Sequence, residues 1–296
     1  MNITRIGIIG FGEVGKIFGA GLAALPSVAT VSTWDKKGAQ GTGMVEAARA
    51  RNVIWCDDAA AVYANADLII SAVTASNTTD VAETAAAYIQ PGSIFLDLNS
   101  ASPGTKKACA QRIESAGAHY VEAGVMTSVP PYGIKVPMLL GGALAPELSE
   151  HLNAWGFDTA VANTTLGIAS AIKMSRSVMI KGLEALVIES FATARVYGVE
   201  RQMLATLKET FPGIDWEKQG AYFFTRVAQH GQRRAEEMRE SANTVAEAGF
   251  EPFMTQSIAD KQQWMADAAK AGVFKDIPSD APWEVFADAL ISARRA

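Results

Sequence analysis

Two periods of apolar and polar residues divide this chain. Through the first 163 residues, short apolar runs of β type recur between stretches of helical spacing, an alternation that predicts an α/β domain. Residues 3–9, 30–34, 53–55, 67–73, 93–98, 117–125 and 159–162 read as strands, and residues 16–24, 45–50, 59–63, 79–89, 103–116 and 146–155 as helices between them. The run at 67–73 reads as a continuous apolar strand apart from Asp67 and Ser71, as in strands covered on both faces of a parallel sheet. Beyond residue 165 only helical periodicity remains. One long helix is predicted over residues 166–196, followed by helices at 201–211, 222–231, 233–248, 252–271 and 282–293, separated by Pro, Gly and Asp stops.

The long helix carries an unusual pattern. Ile168, Ile172, Val178, Met179, Ile180, Leu183, Leu186 and Val187 spread around most of its circumference and predict burial on nearly all sides. A narrow polar stripe survives: Ser170, Lys173, Ser177, Lys181 and Glu184 follow spacings of three and four and share one face. Two buried lysines need compensation. Either the stripe is structural, with Glu184 neutralising Lys181 three residues away or lying against a neighbouring helix, or it is the wall of an active site. The pattern as a whole predicts a Rossmann-type doubly wound sheet at 1–163 and an all-helical domain at 164–296, joined by this helix. A cleft is expected where the helix meets the carboxyl edge of the sheet.

Composition narrows the classes. A net charge of −5 with a pI near 5.4 leaves no electrostatic footprint for nucleic acid, and no apolar run reaches the roughly 18 residues of a membrane span. Cys56 and Cys109 have no ligand-type spacing, so neither a disulfide framework nor a metal site is expected. The first residues read as a strand running into a glycine turn and not as a signal peptide, and the expected location is cytoplasmic.

The first strand leads directly into Gly10-Phe11-Gly12-Glu13-Val14-Gly15 and a helix, which is GxGxxG in its required strand–turn–helix context. Gly10 permits the turn, Gly12 lets a pyrophosphate approach the backbone, and Gly15 lets helix and strand pack closely. The second strand ends at Asp35, where a carboxylate accepts hydrogen bonds from ribose hydroxyls and repels a 2′-phosphate. That favours NAD. Lys36 and Lys37 argue for NADP, as two adjacent cations able to hold that phosphate or as solvated turn residues. Further candidates sit at strand ends: Val73 and Thr74 after 67–73, and Asn99 and Ser100 in the segment Asn99-Ser100-Ala101-Ser102-Pro103. The hydroxyls of that segment read as helix caps or as groups at the nicotinamide.

Four motifs resemble the β-hydroxyacid dehydrogenase superfamily, which includes 3-hydroxyisobutyrate and 6-phosphogluconate dehydrogenases: GIIGFGEVG at Gly7 to Gly15, DLNSASP at Asp97 to Pro103, YVEAGVMTSVPP at Tyr120 to Pro131, and GIASAIKMSRS at Gly167 to Ser177. The resemblance makes Lys173, six residues after Gly167, the catalytic acid/base. Where the family reads DAPVSGG, this chain has Glu122-Ala123-Gly124-Val125-Met126-Thr127-Ser128, so Met126 replaces the serine, and Thr127 or Ser128 takes over its hydrogen bond. Ser177 stands where the family has asparagine, and Arg176 also departs from the pattern. The text from Lys173 to Leu186 resembles a poorly characterised, phosphogluconate dehydrogenase-like branch. A homodimer through the helical domain is implied as well.

The chemistry expected is hydride transfer between NAD, or NADP, and a small 3-hydroxy acid or related alcohol. Lys173 exchanges the hydroxyl proton, a role in which desolvation favours the neutral amine. Ser177 would orient the substrate. Lys181, roughly 12 Å further along the axis, pairs with Glu184, or binds a distal substrate carboxylate or a residue of the helical domain. Arg233 and Arg234 either close over the ligand or pair on the surface with Glu236, Glu237 and Glu240. Two other readings remain: an imine reductase-like enzyme, and a dinucleotide-binding sensor without turnover.

Overall fold

The structure, a computed structural model, describes residues 1–38 and 43–295. The chain divides into two units, Met1–Met174 and Ser175–Ala296, with the division inside one long helix.

In the first unit, strands β1 (Arg5–Ile9), β2 (Thr30–Trp34), β3 (Ile54–Trp55), β4 (Leu68–Ser71), β5 (Ile94–Asp97), β6 (His119–Val125), β7 (Pro137–Gly141) and β8 (Asp158–Asn163) form one sheet in the order β3-β2-β1-β4-β5-β6-β7-β8. Every neighbouring pair is parallel except β6 with β7. The order reverses between β1 and β4, the switch point where ligands bind in doubly wound sheets. The connecting helices are α1 (Glu13–Ala23), α2 (Met44–Arg49), α3 (Ala59–Asn65), α4 (Thr78–Tyr88), α5 (Pro103–Ser115) and α6 (Ala145–Ala154). The strands are apolar because both faces are covered: Ile6, Ile8, Leu68, Ile70 and Leu96 enter one core, and Ile9, Ile69 and Phe95 enter the other. At the amino edge Asp67 ties the ends of β1 and β4, accepting from the backbone N–H of Thr4 and Arg5 and pairing with the Arg5 guanidinium at 2.5 Å.

The long helix is α7 (Ile168–Tyr197), and it begins in the first unit. In the second unit the rest of α7 is followed by α8 (Glu200–Thr210), α9 (Trp216–Glu247), α10 (Phe253–Lys270) and α11 (Trp283–Arg295). Val187, Ile188, Phe191, Phe223, Phe224, Trp283 and Phe286 form its core. Among the described residues no helix is long and apolar enough to cross a membrane.

Two sequence expectations need correction here. Residues 222–231 and 233–248, expected as separate helices, lie within the single helix α9. Gly231 is a contact point and not a stop: a Cβ there would lie 2.8 Å from the Gln262 carbonyl oxygen, so the glycine lets α10 lie close against α9. The second concerns α7, which is not buried on nearly all sides. Val187, Ile188 and Phe191 are buried, whereas Met179 is 74 % and Leu186 56 % exposed, so one face of the helix packs and another is open.

Candidate active site

At the end of β1 the chain must turn abruptly into α1. Gly10 adopts φ +92°, and a Cβ on it would fall 2.5 Å from the Ala72 carbonyl oxygen. Gly15 on α1 lies against Gly10, where a Cβ would come to 2.0 Å from the Gly10 carbonyl oxygen. Both glycines are therefore required for the turn and the packing. Gly12 differs: a Cβ there would meet nothing within 4 Å, so the loop faces open space at this point. It precedes the N-terminus of α1, which has no side-chain cap and leaves its first N–H groups and dipole available to an anion. Phe11 is buried in the sheet core, while Glu13 is exposed and Val14 half-buried.

Asp35 closes one side of this cradle. Its carboxylate accepts from the N–H of Phe11 and from that of Lys37, each at 2.8 Å. Lys36 is exposed, and its ammonium reaches across to the Asn77 side-chain oxygen at 2.5 Å. On the other side of the switch point Val73 is half-buried and Thr74 exposed, the latter accepting from the Asn77 amide at 2.7 Å.

Asn99 is buried, with its side chain engaged within the fold: Oδ1 accepts the N–H of Val73 at 2.8 Å and Nδ2 donates to Ser71 Oγ at 2.9 Å. It latches the loop after β4 to the loop after β5. Ser100 is half-buried, and Ser102 caps α5 by accepting the N–H of Thr105 at 3.2 Å. Beneath this loop lies a cluster that sequence reasoning missed. Lys106 and Asp97, each 1 % exposed, pair at 3.0 Å, and Tyr120 donates its hydroxyl to Asp97 at 2.5 Å. Burial, and then the neighbouring Asp97 charge, push the Tyr120 phenol well above its ordinary pKa, so it stays a donor. The available signal was a lysine on the inward face of α5 nine residues after a strand-end aspartate.

Lys173 lies on the second turn of α7, against β6: a Cβ on Gly124 would sit 3.5 Å from Lys173 Cβ. Lys173 is half-buried, whereas the sequence pattern predicted a buried residue, although Ser170 and Ser177 on the turns either side of it in the stripe are buried. Beyond the end of β6, Thr127 is exposed and Ser128 half-buried. The carboxyl ends of β1, β2, β4, β5 and β6 thus collect the glycine loop, Asp35, Val73, Thr74, Asn99, Ser100, Thr127, Ser128 and Lys173 on one edge of the first unit.

The remainder of the stripe belongs to the second unit. The expected Lys181–Glu184 pair is not formed. Lys181 pairs with Glu237 on α9 at 2.9 Å and donates to Ser177 Oγ at 3.1 Å, while Glu184 pairs with Arg234, also on α9. Both helices present a charged row, and pairing across the interface compensates four buried or largely buried charges. Arg234 is therefore no surface residue. Arg233 is half exposed and lies 3.8 Å from Glu237, as a surface pairing requires.

Residues 5–130 match the NAD binding domain of 6-phosphogluconate dehydrogenase, and residues 194–265 match a domain of unknown function. A conserved hypothetical protein from Sinorhizobium meliloti 1021 is 36 % identical, covering 99 % of this chain and 97 % of its own, with a TM-score of 0.75. The conserved protein MTH1747, described as structurally similar to 3-hydroxyacid dehydrogenases, is 30 % identical over 90 % of this chain and 99 % of its own, with a TM-score of 0.67. The chain belongs to the β-hydroxyacid dehydrogenase superfamily. A 3-hydroxyisobutyrate dehydrogenase from Mycobacterium tuberculosis shares the fold at 16 % identity, covering 97 % of this chain and 99 % of its own, with a TM-score of 0.66. As a member of the superfamily the protein is an NAD(P)-binding oxidoreductase. The open space at Gly12, the uncapped α1 N-terminus and the carboxylate at the end of β2 fit a nicotinamide dinucleotide.

Proposed function

We propose that the protein is a dehydrogenase for a small 3-hydroxy acid or related alcohol, with NAD as the preferred cofactor and Lys173 as the general acid/base. The observation that carries the reading is the placement of Lys173 against Gly124 on β6, on the same sheet edge as the glycine loop. The nicotinamide supplies the hydride acceptor in oxidation and the donor in reduction. As the hydride leaves the carbinol carbon, the hydroxyl proton must leave too. Lys173 takes it as an amine and returns it from the ammonium in the reverse direction. Ser100, Thr127 and Ser128 supply hydroxyls for the substrate carboxylate or hydroxyl. Ser177 and Lys181, on the part of α7 that belongs to the second unit, are proposed as further substrate-binding residues, and their mutual hydrogen bond and Glu237 hold the Lys181 ammonium. Asp35 would accept hydrogen bonds from the ribose hydroxyls of NAD. A homodimer is proposed on the strength of the exposed apolar residues of α7.

The test is a panel of 3-hydroxyisobutyrate, 3-hydroxypropionate, L-serine and 3-hydroxy-3-phenylpropionate, each with NAD and NADP, followed by nicotinamide absorbance. Turnover of at least one is expected, with Lys173→Ala lowering kcat by about 10²–10⁴-fold and leaving dinucleotide affinity unchanged. Wild-type rates in the variant would remove the lysine from the mechanism. Dinucleotide binding without turnover of any panel member would favour the sensor reading.

A further inference from the structure

Glu122 is a fully buried carboxylate at the centre of β6, with no cation among its partners in the described residues. Its partners are backbone N–H groups instead. Oε1 accepts from Gly167 at 2.7 Å and from Ala169 at 3.2 Å, and Oε2 accepts from Ser170 at 3.2 Å. These N–H groups belong to the start of α7, where the chain has otherwise no acceptor for them and where the helix dipole is positive. The carboxylate that caps this helix therefore comes from a strand 45 or more residues earlier.

Room for the arrangement is made by glycine on two sides. Gly141 faces Glu122 across the β6–β7 ladder, and a Cβ there would lie 2.6 Å from Glu122 Oε1. Gly124 stands two residues after Glu122 on the same face of β6, and a Cβ on it would lie 3.3 Å from the Ala169 carbonyl oxygen and 3.5 Å from Lys173 Cβ. One face of one strand thus holds α7 at its first turn and receives its second turn, which carries Lys173.

We infer that Glu122 is a positioning residue for Lys173: by binding the first N–H groups of α7 it fixes the height and rotation of the helix on β6, and with them the place of the lysine amine. The inference rests on the acid/base reading of Lys173. A carboxylate suits the task because it accepts several N–H groups at once and counters the positive helix end, whereas a glutamine turns an NH₂ toward one of the same donors.

Three variants and two readouts test this. Hydrogen exchange of the Gly167–Lys173 amides needs no substrate: Glu122→Gln is expected to lose protection there while the β1 and β4 amides keep theirs. With the best substrate of the panel, Glu122→Gln is expected to lower kcat roughly 10–100-fold with the dinucleotide KM within about twofold of wild type. Gly141→Ala, which keeps the carboxylate but displaces it, reports the same effect if Glu122→Gln fails to fold. Asp67→Asn, at the opposite edge of the sheet, serves as the destabilised control and is expected to leave kcat unchanged. Retained protection in both site variants overturns the inference. So does a wild-type kcat in them when Lys173→Ala is inactive. A fully active Lys173→Ala instead overturns the reading of the lysine, and the positioning role falls with it.

Discussion

The carboxylate of Asp35 is tied to the backbone N–H of Phe11 at 2.8 Å, so the acidic end of β2 and the first turn of the glycine loop form one unit. The second oxygen of Asp35 takes the Lys37 N–H, also at 2.8 Å, which fixes the plane of the carboxylate. A negative charge held in that way is expected to repel the 2′-phosphate of NADP, and Lys36 is bound to Asn77 at the start of α4. Replacing Asp35 by serine is expected to shift the ratio of NADH to NADPH affinity toward NADPH by at least about tenfold, because like charges in contact cost several kcal/mol. Both affinities should also fall, since the loop loses its anchor. Fluorescence titration with the two reduced dinucleotides reads the ratio. A ratio that does not move would assign the choice to other residues.

The pair Lys106–Asp97 is buried at both ends, and its neutral neighbours are arranged around the charge. Asp97 accepts from the Tyr120 hydroxyl and from the Asn99 N–H at 2.9 Å, and Lys106 also donates to the Asp97 carbonyl at 3.1 Å. Removing the lysine alone strands a buried carboxylate. Lys106→Ala is expected to cost about 3–5 kcal/mol in urea unfolding, the range for breaking one side of a buried pair. Tyr120→Phe, which removes one hydrogen bond to a charged group, is expected to cost about 1.5–3 kcal/mol. Equal small losses in both would show that Asp97 finds solvent once Lys106 is gone.

The sheet and the glycine loop could be read from the sequence because their signals are local. Residues 68–73 are apolar but for Ser71 because β4 is covered on both faces, and Gly15 is needed by its contact with the Gly10 carbonyl within the same loop, while the positive φ of Gly10 belongs to the turn itself. The polar stripe of α7 was legible as a row of residues, but its partners were not. Spacing along one helix suggested Lys181 with Glu184, yet each finds its charge on α9, and Glu184 meets Arg234 across 50 residues of sequence. Gly231 misled for a related reason: a glycine that admits a neighbouring helix and one that ends a helix look alike until the neighbour is in place. Glu122 sat within a quoted motif, but its role depends on where α7 begins relative to β6, which no period encodes.

Asp67 predicts an acid limb in the stability profile. Burial works to raise its pKa, but hydrogen bonds from the Arg5 side chain and the Thr4 and Arg5 backbone, with the Arg5 charge, outweigh it and hold the carboxyl down at about 2. Its ordinary value is 3.8. The folded state therefore binds the proton less readily than the unfolded chain, so the stabilisation is complete above the unfolded value and disappears as pH falls through the folded one. Asp67→Asn is expected to lower Tm by a constant amount above about pH 5 and by a shrinking amount from there toward pH 2. A difference independent of pH across that window would show that packing, not charge, carries the effect.

Arg233 and Arg234 are adjacent in sequence but stand in opposite environments, and the contrast gives a sharp test of how the helical unit is held. Arg234 is 3 % exposed and donates to Glu184 Oε2 from Nε at 2.9 Å and again from Nη2. The Gln262 amide adds a longer contact to the same oxygen at 3.4 Å, and the other oxygen of Glu184 has no partner among the described residues. Arg234→Ala would leave Glu184 buried beside that single weak donor, for an expected loss of about 3–5 kcal/mol. Arg233, half exposed and 3.8 Å from Glu237, is expected to cost about 0–1 kcal/mol when replaced by alanine. The cost lies in desolvating an unpaired charge, so replacing both partners should hurt less than replacing one. The double variant Arg234→Met with Glu184→Met is expected to recover most of the loss seen with Arg234→Ala, because two apolar side chains need no compensation in the same space. Urea midpoints of the four proteins decide it. If the double variant is as unstable as Arg234→Ala, the ion pair itself, and not the cost of an uncompensated carboxylate, holds α7 against α9.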